Sequence, residues 1–238
     1  MNFIIGPKCY ETTANCAESI IRFTIGNLQL QEPMALLTNW MIAFTCLILY
    51  KKIKNPQTLF ELNWKRFYAF FGVSVFFGGL GHLFFYYLGV YGKFPCWILG
   101  VFASYFAGKA MISTAIFSLK NRNTLHYFLV AKCAILGILA ILYTNFIFIT
   151  IDAVLSYLFY CGIVSLIYWR KGRSEFKYIV YAILVLLPSI FIFLLRLNPH
   201  VWFNKEDLSH ILMILTIILF YFGVQQFIQL NKKTSLSV

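Results

Sequence analysis

The chain has 238 residues, of which 61% are hydrophobic and 12% charged, and 20 Lys and Arg against 8 Asp and Glu give a formal net charge of +12. Soluble domains run about 45–50% apolar and about 25% charged, so a water-soluble fold of this length could not hide so much apolar surface. The basic balance does not point to nucleic acid, because the charges gather in short segments between apolar runs, where they set membrane topology.

A helix needs about 20 mostly apolar residues to cross a bilayer core of about 30 Å. Seven such runs occur, near 33–50, 67–90, 95–119, 125–144, 147–169, 177–196 and 207–230. They are continuous rather than alternating, which argues against a barrel. The expected fold is all-α, a seven-transmembrane helix bundle. Residues 1–32 precede it as an outer segment, 33–230 form one membrane domain, and 231–238 are a cytoplasmic tail. In the outer segment, Ile20, Ile21, Phe23, Ile25, Leu28 and Leu30 are apolar enough to lie on the membrane or cap the bundle.

Lys and Arg give the orientation. Lys51, Lys52, Lys54, Lys65 and Arg66 lie between runs one and two, Lys120 and Arg122 between three and four, Arg170, Lys171, Arg173 and Lys177 between five and six, and Lys232 and Lys233 after the last. The alternate side holds only Lys8, Arg22, Lys93, Arg196 and Lys205. The richer side is cytoplasmic, which puts the N-terminus outside and the C-terminus inside. The expected location is the cell membrane or an endomembrane, with membrane lipids as partners.

Cys46, Cys133 and Cys161 fall inside apolar runs and read as buried small hydrophobes. Cys9, Cys16 and Cys96 fall on the outer side, where one disulfide can form; the odd number leaves the pair open. Gly100, Ser104 and Gly108 make a four-residue-spaced packing stripe. Pro188 predicts a kink in span six. Trp40, Trp64, Trp97, Trp169 and Trp202 read as interface anchors.

Ionisable groups at membrane depth are costly and face the bundle interior, so they are the informative positions. Asn39, His82, Asp152 and His210 come from four different spans, and all fall in the outer third; Glu32, Glu206 and Asp207 sit at outer helix ends. Imidazoles and carboxylates gathered at one depth are ligands for a divalent metal, zinc above all. Glu206 and His210 are spaced i,i+4 and face one way. Each residue also has a plainer reading. Asn204 and Asp207 suit a helix N-terminus, as does Glu32-Pro33, and a membrane histidine often serves as an interhelical hydrogen-bond partner. Lys109, near the middle of span three, has Asp152 as a candidate partner across the bundle. Lys132 is expected to snorkel to the inner surface, and His126 and His200 to be solvated.

The spacing resembles the alkaline ceramidases and their wider superfamily of seven-span hydrolases, which includes adiponectin-receptor-like proteins. Glu32-x6-Asn39 preceded by Thr38 is similar to a Glu-x6-Asn preceded by Ser. His82 stands where that family has a zinc-binding His, Pro95 opens span three, and Glu206-x3-His210 occupies the place of a His-x3-His. Gly78 replaces the family's Ser, Lys93 its acid at the start of span three, and Glu206 the first His of the last pair. The resemblance implies a lipid amide or ester hydrolase with zinc on His82, His210 and Glu206, and with Asp207 or Asp152 handling protons. The alternative is a non-catalytic seven-span protein that binds a lipid or another small ligand, receptor-like in kind. A third reading is a transporter using Lys109 and Asp152.

Overall fold

The computed structural model describes residues 3–7, 19–114 and 119–236. Seven helices make up its body: α1 (Pro33–Lys52), α2 (Leu59–Leu83), α3 (Phe94–Ile112), α4 (Leu119–Leu142), α5 (Ile147–Arg170), α6 (Lys177–Leu194) and α7 (Lys205–Leu236). Six of them are long and apolar enough to cross a membrane, which is the build of a multi-pass membrane protein. Helix α2 is outside that six. It has comparable length, but Glu61, Lys65 and Arg66 occupy its first third and it carries glycines at 72, 78, 79 and 81. It lies between α1 and α3 and packs along both. Large apolar side chains such as Phe44, Ile138 and Leu184 are exposed, as expected for a surface solvated by lipid tails.

Several boundaries differ from the sequence reading. Helix α2 starts at Leu59 rather than near 67 because Thr58 caps it. The Thr58 hydroxyl accepts the Glu61 N–H at 3.2 Å, and the Glu61 carboxylate takes the Thr58 hydroxyl and the Gln57 N–H, both at 3.0 Å. This reciprocal capping box outweighs the nearby basic residues. Helix α2 also stops at Leu83. A single helical turn, Phe85–Leu88, and a 3-10 turn, Gly89–Lys93, then lead into α3. Helix α7 continues to Leu236, past the expected end at 230.

The described residues of the N-terminal segment form a sheet. Strands β1 (Phe3–Pro7), β2 (Ser19–Ile25) and β3 (Leu28–Gln31) pair antiparallel in that order. Ile25 pairs with Leu28 across a two-residue turn in which Gly26 takes φ 59°, a conformation glycine adopts without a Cβ penalty. Ile20, Ile21, Phe23 and Leu30 are buried. The Gln29 N–H donates to the Tyr87 hydroxyl at 2.8 Å, tying the sheet to the helical turn after α2. Cys96 is a free thiol whose Sγ lies 3.5 Å from the Ser74 hydroxyl; Cys9 and Cys16 fall outside the described residues.

The main core lies toward the opposite end of the bundle and is aromatic. Trp64, Phe67, Tyr68, Tyr168, Phe176 and Phe220 are all buried there, and the Tyr68 hydroxyl donates to the Ile217 carbonyl at 2.9 Å. Trp64 and Trp97 are therefore core residues rather than interface anchors, whereas Trp40 and Trp202 are exposed. The stripe on α3 divides its duties. Gly100 faces Ser74 on α2, Gly108 lets Leu129 of α4 approach, and Ser104 bonds Asp152.

Candidate functional site

Helices α1, α2 and α7 bring their polar residues together at the sheet end of the bundle. Glu32 is the residue before α1 and sits in the left-handed region at φ 50°, which costs a non-glycine residue about 1–3 kcal/mol. Its backbone N–H donates to the Ile21 carbonyl of β2 at 2.9 Å, so the sheet holds the unusual turn. The turn directs the buried Glu32 carboxylate onto His82 near the end of α2, with Oε2 to Nδ1 at 2.9 Å. Glu206, in the first turn of α7, places Oε2 3.6 Å from His82 Nε2. Glu32, His82 and Glu206 each offer one ligand atom, all within 4.8 Å of one another.

Glycines set the stage for this convergence. A Cβ on Gly81 would lie 2.8 Å from the Gly92 carbonyl oxygen, so only glycine lets the 3-10 turn pack this closely on α2. That approach delivers Lys93 to the neighbouring imidazole, with Nζ 3.3 Å from His82 Nε2. A Cβ on Gly78 would lie 3.1 Å from Cys96 Sγ and 3.2 Å from Asn39 Oδ1, so the glycine lets both side chains pack closely on α2. Asn39 is buried against these glycines and donates its amide to the Ala35 carbonyl at 2.7 Å, a packing role.

The hydrogen bonds fix both imidazoles. A carboxylate only accepts and an ammonium only donates. His82 therefore donates from Nδ1 to Glu32, and its Nε2 faces the Lys93 ammonium, which can only donate to it. On α7, the Thr38 hydroxyl lies 3.0 Å from Asp207 Oδ1 and 2.7 Å from His210 Nδ1. A hydroxyl has one proton, and Asp207 Oδ1 and the Met34 carbonyl, also at 3.0 Å, can only accept it. His210 Nδ1 is thus the donor, and Nε2 keeps its lone pair. His210 is not among the residues whose ligand atoms lie within 4.8 Å of one another, and its imidazole is reached through Thr38. Asp207 also caps α7. Its Oδ2 accepts the Asn204 N–H at 3.1 Å, and Asn204 Oδ1 accepts the N–H groups of Glu206 at 2.8 Å and Asp207 at 3.3 Å.

Two expected site residues lie elsewhere. Asp152 is 1% exposed and pairs with Lys132 of α4, which also donates to the Asp152 carbonyl at 3.0 Å and to the Ser156 hydroxyl at 2.7 Å. The Ser104 hydroxyl donates to the other carboxylate oxygen. Lys132 therefore points inward instead of snorkelling. Lys109 does not reach Asp152; its ammonium lies over the Tyr105 ring, 5.3 Å from the centroid. His126 lies on α4, with Nε2 3.3 Å from the Tyr105 hydroxyl. Helix α5 changes to π-helical winding at Ser156–Ile163, immediately beyond the Asp152 pair.

An apolar groove of about 520 Å³ runs between α3 and α4, lined among others by Trp97, Val101, Tyr105, Cys133, Gly137 and Ile149. Its size falls within the 300–1,000 Å³ common for small-molecule sites. Trp97, at one end, is four residues along the chain from Lys93.

Residues 34–229 match a protein family described as a family of unknown function, DUF6962. The chain belongs to this family. No curated protein and no solved structure matches it. The matched region spans all seven helices and begins two residues after Glu32, so the sheet and the Glu32 ligand group precede it.

Proposed function

We propose that the protein is a seven-span membrane hydrolase of lipid amides or esters, similar to the alkaline ceramidases, with its N-terminus outside and a zinc site in the outer third of the bundle. In this reading α2 is the seventh crossing. Its position between α1 and α3 supports that count, and the Lys and Arg distribution supports the orientation.

The observation that carries the proposal is the convergence of Glu32, His82 and Glu206 from three separate segments onto ligand atoms within 4.8 Å. Imidazole nitrogen and carboxylate oxygen are donors that zinc accepts. Each histidine gives its Nδ1 to an oxygen partner, Glu32 for His82 and Thr38 for His210. Such outer partners orient ligand histidines and fix their tautomer. His82, Glu206 and His210 would hold the metal, with Glu32 orienting His82. A metal held there supplies Lewis acidity toward water and a carbonyl. Asp207 is the acid near this site, and it would take up a proton along the chain in which His210 Nδ1 donates to the Thr38 hydroxyl and that hydroxyl donates to Asp207. Asp152, tied to Lys132, takes no part in this scheme. The groove between α3 and α4 offers room for a substrate's acyl chain.

The test is metal content and lipid turnover of protein purified in mild detergent without chelator, beside His82→Ala. Near-stoichiometric zinc in the wild type, lost with turnover in the variant, is the expected result. Zinc content and turnover unchanged in His82→Ala would refute it.

A further inference from the structure

Lys93 is the one feature of the site that the metal reading does not use. Its Nζ faces the Nε2 lone pair of His82 at 3.3 Å, the atom a metal would take. A zinc ion lies about 2.0–2.1 Å from a histidine nitrogen, so no ligated position at Nε2 is more than about 5.4 Å from this ammonium. Two cations that close, with little water between them, repel strongly.

The backbone enforces the approach. The fit of Gly92 against Gly81 seats the 3-10 turn on α2, and Lys93 is its last residue. The same ammonium lies 5.5 Å from the centre of the Phe85 ring, a cation–π position beside the cluster. The four-carbon stem of lysine can carry the charge from the lone pair toward that ring without moving the backbone.

Resting on the metal reading of this site, we infer that Lys93 is a built-in counter-cation that competes with a divalent metal for His82 Nε2 and Glu206. The ammonium offsets one of the two carboxylate charges of the cluster, and the site accepts metal when the ammonium withdraws. Lys93 thus acts as a selectivity residue that weakens metal binding.

The experiment is zinc titration of the full chain in mild detergent, by calorimetry and by competition with a chromogenic chelator. It compares wild type, Lys93→Met, Lys93→Gln and Lys93→Arg, with Lys171→Met as a control at the other end of the bundle. Thermal unfolding checks that each variant is folded, and the two neutral replacements guard against failure of one. Met and Gln should bind zinc at least about tenfold more tightly than wild type, equivalent to about 1.4 kcal/mol. Arg, which keeps the charge, should stay within about threefold of wild type, and adding His82→Ala to Lys93→Met should abolish the gain. Equal zinc affinity in wild type and both neutral variants overturns the inference and leaves the metal site standing. No zinc binding in any folded protein, neutral variants included, overturns the metal reading and the inference with it.

Discussion

Replacing Lys132 by methionine isolates the cost of the buried ion pair. Lys132 has three N–H donors, and the Asp152 carboxylate, the Asp152 carbonyl and the Ser156 hydroxyl use all three. Asp152 is 1% exposed, so the variant leaves a carboxylate in the bundle interior with only Ser104 to bond it. Removing one partner of such a pair costs about 3–5 kcal/mol. For a chain of this size each kcal/mol shifts the melting temperature by about 2–4 °C, so the expected fall is roughly 6–20 °C. Replacing both partners, with Lys132→Met and Asp152→Leu together, should recover most of that loss, because a well-packed apolar pair avoids the desolvation of two charges. Thermal unfolding in detergent, followed by thiol accessibility of the buried Cys133 and Cys161, reads the effect. A double variant that loses the sum of the two single losses would show no coupling and refute the pairing.

Gly81→Ala should destabilise the protein by about 1–3 kcal/mol, because its Cβ would press on the Gly92 carbonyl; it should also push Lys93 off His82, read as tighter zinc binding in whatever fraction folds. Thr38→Val removes the hydroxyl that joins Asp207 to His210, so zinc affinity should fall about 10–100-fold and stability by about 1–3 kcal/mol; unchanged affinity would remove His210 from the ligand set.

Much of the helical layout was legible in the sequence because continuous apolar runs of bilayer length admit few other structures. The boundaries were less so. Thr58-x-x-Glu61 is a readable capping box, yet Lys65 and Arg66 give the start of α2 the look of a loop, and the cap outweighs them. Gly26-Asn27 between an apolar run and an alternating Leu-Gln run is likewise a hairpin signal, but β1 joins from a distance in the chain and has no local mark. At the site, shared depth brought Glu32, His82, Glu206 and His210 into view. The same argument could have paired Lys132 with Asp152. They stand about ten residues below the end of α4 and five below the start of α5, a gap that a lysine stem closes. The sequence reading instead sent Lys132 to the surface, because depth alone does not say which way a long stem runs.

The two ionic clusters of the bundle obey opposite logics, and the contrast decides where chemistry can enter. Around Lys132 and Asp152 the lysine's donors are all used by groups on α5, so a ligand there would have to break a completed network. Around His82 the two ring nitrogens are unequal. Nδ1 holds Glu32 at 2.9 Å, a full hydrogen bond, whereas Nε2 meets Lys93 at 3.3 Å and Glu206 at 3.6 Å, both longer than the usual 2.9–3.0 Å. The imidazole is fastened on one side and loosely met on the other by one cation and one anion. A fully bonded network rigidifies a bundle, while a histidine anchored by its back nitrogen with a loosely occupied front nitrogen is organised to exchange what it binds. The first cluster therefore belongs to the scaffold. The second is the place to look for metal and substrate, and its looseness is what the charge on Lys93 controls.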